Sequence, residues 1–245
     1  MYLADNMSWS QWILYQLAYG LTRGLWHASV DRELPLQPGQ GAVIVTNHCS
    51  SVDPFFIQLA VGSRKVHWMV AKEFVEHPAF GWFLRRTEAI PTNRAGIDTA
   101  AIKQAIRYAA AGELVGMLPE GRINMSDDFL LPVRPGAALI ALRAGVPLIP
   151  CYIQGAPYNK MPYSPFFMLA RVHVHVGEPV DLSRYRQQES EPDAAAQLTL
   201  KAMGAIARLA GRHDFEPTLA GRRWKPTPEE LAQAMANSDR RQRNE

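Results

Sequence analysis

The sequence predicts an α/β fold, a largely parallel central sheet flanked by helices, with an amphipathic helical segment at its N-terminus. Three observations carry this prediction. Short aliphatic runs alternate with stretches of helical period, the signature of strands joined by crossover helices. The run Ala42-Val43-Ile44-Val45 ends in the polar cluster Asn47-His48-Cys49-Ser50-Ser51-Val52-Asp53, as a buried strand does where it leaves a sheet. Arg171 to Gly177 alternates, with Val172, Val174 and Val176 on one face and His173 and His175 on the other.

Taken in order, Trp9, Ile13, Leu17, Leu21 and Leu25 recur every fourth residue and form a stripe on a helix. Trp12, Tyr15, Tyr19 and Trp26 widen the stripe and Arg23 interrupts it. The stripe fits either a helix packed on the core or one lying in a bilayer surface, where tryptophan and tyrosine favour the headgroup boundary. Leu34 to Gly41, with Pro35 and Pro38, leads into the first strand, Ala42–Val45. Asp53-Pro54 up to Gly62 reads as a short helix with Asp53 as N-cap and Pro54 as its first residue. Val66–Ala71 is a second strand, and Glu73–Arg86 is helical in part, with Arg85 and Arg86 at a favourable C-terminus. Asp98 caps a helix running to Gly112, and Leu114–Leu118 is a third strand ending at Pro119-Glu120-Gly121-Arg122. Gly136–Arg143 is a helix closed by Gly145, Val146–Gln154 a fourth strand, and Ala194–Gly211 a helix. The 245 residues divide into an N-terminal amphipathic segment (1–33), a catalytic domain (34–215) and a charged tail (216–245), expected to be loosely held.

Chemistry concentrates after the first strand. His48 can take and return a proton near neutral pH, and Asp53 can fix its tautomer and stabilise its charged form. An ideal helix would set the two roughly 140° apart, so they meet only across a turn, for which Ser50 and Ser51 are suited. The alternative reading makes His48 a loop histidine and Asp53 only a cap.

His48 and Asp53 form a His-x4-Asp box preceded by Asn47. Then come Gly81 to Arg94, Pro119-Glu120-Gly121-Arg122, and Val146-Pro147-Leu148-Ile149-Pro150. Four boxes in this order resemble those of the glycerolipid acyltransferases, over roughly residues 40 to 180. The resemblance implies transfer of a fatty acyl group from acyl-CoA or acyl carrier protein to the free hydroxyl of 1-acyl-glycerol-3-phosphate, making phosphatidic acid. It implies no further cofactor. Membrane lipids are the implied partners, so the resemblance favours the membrane reading of the N-terminal stripe. It places the protein at the cytoplasmic face of a membrane, peripheral or monotopic. His48 and Asp53 become the catalytic pair, and Arg94, Glu120, Gly121 and Arg122 bind the acceptor, the two guanidinium groups holding its phosphate. Glu120 would orient an arginine or the glycerol part. Many family members insert Thr before the arginine, whereas Arg122 follows Gly121 directly, which shifts where its guanidinium points.

The remaining features narrow the reading. A formal net charge of +3 suits an anionic membrane surface or phosphorylated substrates. No basic-aromatic stripe or zinc-finger spacing supports a nucleic-acid partner. Two cysteines, Cys49 and Cys151, make no disulfide framework and fit a reducing compartment. Cys49 is a poor partner for His48, because adjacent side chains leaving a strand point apart. Ser50 and Ser51 lack the Gly-x-Ser-x-Gly elbow of a serine hydrolase. His173 and His175 have no third ligand in an obvious box, so no metal is expected. Asp5 and Asn6 stand where a signal peptide would carry positive charge.

Overall fold

A computed structural model describes residues 9–78, 81–93, 98–183, 185 and 192–221. The N-terminal helix α1 (Trp9–Gly24) is followed by the short strand β1 (Ser29–Val30), β2 (Ala42–Thr46), α2 (Asp53–Val61) and β3 (Val66–Ala71). Next come two short helices, α3 (Lys72–Val75) and α4 (Gly81–Arg86), then β4 (Ile90–Thr92), α5 (Thr99–Ala110) and β5 (Leu114–Met117). Then follow α6 (Gly136–Ala144), β6 (Leu148–Gln154), a 3-10 turn (Ser164–Phe167), β7 (His173–Val176) and α7 (Pro192–Leu209).

Among the described residues, seven strands make one sheet, in the order β1-β7-β6-β2-β5-β3-β4. All pairings are parallel except β6 with β7, so the predicted α/β class with a largely parallel sheet holds. β2 lies at the centre and all five of its residues are buried. Its side chains alternate between two cores, as a period of two demands. Val43 and Val45 face one layer with α5, α6 and α7, while Ala42 and Ile44 face the layer with α2 and the end of α1. The C-terminal ends of β2, β5 and β6 therefore open along one edge of the sheet.

Several sequence expectations are met by local chemistry. Asp98 caps α5 by accepting from the Ala101 amide at 3.0 Å, and Gly145 closes α6 in the left-handed region at φ 69°. Gly116 is forced by packing, because a Cβ there would stand 2.5 Å from the Trp68 ring. The Glu73–Arg86 stretch is helical in part, as expected, forming the two short helices α3 and α4. Others are corrected. β1 and β4, too short to read as strands, form the sheet edges, and Pro91 is tolerated in β4 because an edge strand can lack a ladder donor. β1 already belongs to the sheet within the segment assigned to the N-terminal helix. The start of the tail is held too, through hydrogen bonds of Val133 to Thr218 and Ala220. Residues 222–245 lie outside those described.

The stripe on α1 divides. Trp9, Ile13 and Leu17 are exposed, while Leu21 and Leu25 pack on the core. Gln11 Nε2 donates to the Arg86 carbonyl at 2.9 Å and Tyr15 Oη to the Gly62 carbonyl at 3.1 Å, tying the helix to α4 and to the end of α2. Among the described residues, no helix is long and apolar enough to cross a membrane.

Candidate active site

The chain leaves β2 pinned to its neighbour. Asn47 Nδ2 donates to the Ile153 carbonyl at 2.9 Å, and its Oδ1 accepts from the Ile153 amide at 2.8 Å. The side-chain amide thus takes the place of a strand partner, extending the β2–β6 ladder by one step. His48, the next residue, is held at both backbone groups. Its amide donates to Glu120 Oε1 at 2.7 Å, and its carbonyl accepts from the Asn124 amide at 2.7 Å.

The imidazole is held as well. His48 Nδ1 lies 2.9 Å from Asp53 Oδ2. That oxygen also accepts from the amides of Cys49 at 2.9 Å and Ser50 at 3.0 Å. With Nδ1 donating to the carboxylate, Nε2 is the ring's acceptor. Asp53 is wholly buried, whereas the His48 side chain keeps 14% of its surface exposed. The expected cap is corrected here. Val52 holds the N-cap position of α2 and Asp53 is its first residue. The carboxylate turns back onto the loop because three N–H donors converge there. The turn is tethered in its turn: the Ser50 and Ser51 hydroxyls donate to the carbonyls of Pro157 and Pro162, each at 2.6 Å.

Glu120 closes the arrangement from the end of β5. It is buried, and its second oxygen accepts from the Leu131 amide at 2.8 Å. Burial pushes its carboxyl up to about 7; the two backbone amides and Arg122 oppose that rise, and Asp53 adds to it. Through its two oxygens the carboxylate braces the backbone of His48 against the following loop. Gly121 supplies the left-handed turn at φ 70° that lets the chain reverse there.

Cys49 is no rival nucleophile. Its sulfur lies 3.6 Å from Asp53 Oδ1. Burial first, and then the Asp53 charge, push the thiol well above its ordinary value, which withholds the reactive thiolate.

His48 stands in the wall of a cleft of about 250 Å³ that also takes in Glu120, Asn124, Asp127, Asp128 and Arg212. Asn124 and Ser126 organise this loop: Asn124 Oδ1 accepts from the Ser126 amide at 3.0 Å, and the Ser126 hydroxyl donates to Asp128 Oδ2 at 3.2 Å. Arg212, just beyond α7, lies over the Phe129 ring at 4.9 Å. None of these loop residues, nor Arg212, stands out in the sequence; only the Asn-x-Ser turn chemistry hints at the loop. Of the two arginines expected to hold phosphate, Arg122 is half-buried and outside the cleft lining. Arg94 lies outside the described residues.

Comparison with known proteins shows the family. The family model described as Acyltransferase matches residues 27–154. The 1-acyl-sn-glycerol-3-phosphate acyltransferase of Bacillus subtilis (strain 168) is 28% identical over 161 residues, covering 66% of this chain and 77% of that protein. The protein of the same name from Streptococcus pneumoniae is 28% identical over 150 residues, covering 61% of this chain and 53% of its own. The crystal structure of the 1-acyl-sn-glycerophosphate (LPA) acyltransferase, PlsC, from Thermotoga maritima shares the fold, with a TM-score of 0.60 at 20% identity over 83% of this chain and 79% of that one.

Proposed function

Because the chain belongs to the acyltransferase family, we propose that it moves a fatty acyl group from a thioester, acyl-CoA or acyl carrier protein, to the free hydroxyl of 1-acyl-glycerol-3-phosphate at a membrane surface. The observation that carries this reading is the buried Asp53 carboxylate 2.9 Å from His48 Nδ1, at the edge of a cleft. His48 Nε2 takes the proton of the acceptor hydroxyl as its oxygen attacks the thioester carbonyl. The tetrahedral oxyanion then collapses, the C–S bond breaks, and the proton passes from His48 to the departing thiolate. Asp53 stabilises the imidazolium between the two steps. No covalent acyl-enzyme is needed, because the acceptor itself is the nucleophile. The relatives named above support the choice of acceptor.

One observation favours a second acceptor. Among the described residues, the cleft wall carries the carboxyl groups of Glu120, Asp127 and Asp128 against the guanidinium of Arg212. That balance suits a lysolipid whose headgroup bears a positive charge better than a phosphate dianion.

The test follows thiol release from acyl-CoA, with lysophosphatidic acid and a panel of other lysolipids. His48→Ala is expected to lower turnover by about 10²-fold or more while the far-ultraviolet circular dichroism stays unchanged. Full turnover by that variant sinks the mechanism. Absence of turnover by the wild-type protein, with either donor and every acceptor, leaves a lipid-binding module without catalysis.

A further inference from the structure

The 3-10 turn between β6 and β7 presents large apolar side chains to solvent. Phe167 is 84% exposed and Leu169 79%, and Met161 and Tyr163 are each about half exposed. Isolated exposed apolar residues are ordinary, but a run of them on one turn is not. The turn is held from below. The Trp26 indole donates to the Pro165 carbonyl at 2.9 Å, and its ring packs on Phe166 at 5.9 Å. Phe55 meets Phe166 on one side and Phe83 on the other, at 6.5 and 5.8 Å. Phe167 and Leu169 are thus pushed outward by a turn anchored through its inner neighbours.

Two further segments join this aromatic base and also expose apolar residues: Trp82 on α4, and Trp9, Ile13 and Leu17 on α1. Their charge is one-sided. From Gly155 to Arg171 there is no aspartate or glutamate, and Lys160 and Arg171 flank the apolar run. α1 and α4 carry arginine and no acid. Glu88, which meets Gln11 of α1, is paired with Lys65 at 2.7 Å, and apolar and aromatic side chains bordered by cations complement an anionic lipid surface.

We infer that the 161–169 turn is a second membrane contact, separate from α1, which seats the candidate active site on the lipid that carries its acceptor. The inference rests on the proposed lipid acceptor for its purpose. The Ser50 and Ser51 bonds to Pro157 and Pro162 place the turn one hydrogen bond from the His48 loop. A bilayer seated there lies next to the base.

The experiment uses the full chain and vesicles of phosphatidylethanolamine with phosphatidylglycerol. Flotation of wild type is compared with that of Phe167→Ser/Leu169→Ser, whose surface changes leave the core intact. The double variant is expected to bind about tenfold more weakly or worse and to lose turnover on vesicle-borne acceptor in parallel. Its turnover on a short-chain, water-soluble lysolipid is expected to match wild type. Unchanged flotation overturns the contact. So does a wild-type dimer that the variant dissolves with vesicle binding intact, because the turn is then a face between copies. If no acceptor turns over at all, the acyl-transfer reading fails by itself and flotation still decides the contact.

Discussion

One oxygen of Asp53 receives the His48 imidazole and two backbone amides at 2.9 to 3.0 Å, so the residue that orients the imidazole also shapes the loop carrying it. Position and orientation of the imidazole cannot be separated by mutation here. Asp53→Asn can keep one oxygen on those donors, but it loses the negative charge and turns an NH₂ towards the Cys49 sulfur. It is expected to lower turnover by about 10²-fold or more and stability by about 1–3 kcal/mol. Urea unfolding beside the thiol-release assay checks both, and wild-type stability would show that the amide contacts do not matter.

Cys49→Ala removes a thiol held in its neutral form by burial and by Asp53. Turnover within about threefold of wild type is expected. Alkylation by iodoacetamide should also be slow at neutral pH. Complete loss of activity in a folded variant would restore a thiol mechanism.

Glu120 carries a pH signature. Its folded value of about 7 stands above the ordinary 4.5, so between those values the folded protein holds a proton that the unfolded chain has released. Stability from this group is full below the lower value and is lost as pH rises through the upper one, at most about 1.4 kcal/mol per pH unit. Glu120→Gln removes the term, and its stability should fall less than that of wild type between the two values. The amide also presents a donor to either the His48 or the Leu131 N–H, which should reduce kcat more than KM. Parallel denaturation curves across that pH range would refute the assignment.

Asn47→Ala leaves the buried Ile153 N–H and carbonyl without their side-chain partner. A loss of about 1–3 kcal/mol is expected, read as a lower denaturation midpoint with unchanged slope. Neutral behaviour would mean that the backbone finds another partner.

Much of the scaffold is readable in the chain because it is written in local period. β2 is a dense aliphatic run, β7 alternates, and α5 carries its own cap. The dyad is readable for a similar reason, since its members stand five positions apart across serines that favour a turn. What escapes is set by distance along the chain. Nothing around Glu120 announces that its carboxylate reaches the His48 amide, and the approach of Arg212 to Phe129 requires α7 to have packed first. The reversal of Asp53 from cap to loop acceptor is also invisible locally, because both roles use the same residue at a helix start. β1 and β4 escape for want of length.

The loop that lines the cleft is stapled to one residue at both ends: Asn124 meets the His48 carbonyl, and Leu131 reaches the His48 amide through Glu120. Cleft wall and imidazole are therefore joined through the backbone of His48. Under the proposed function, a headgroup that displaced the loop would also re-aim the ring, coupling acceptor fit to the timing of proton removal.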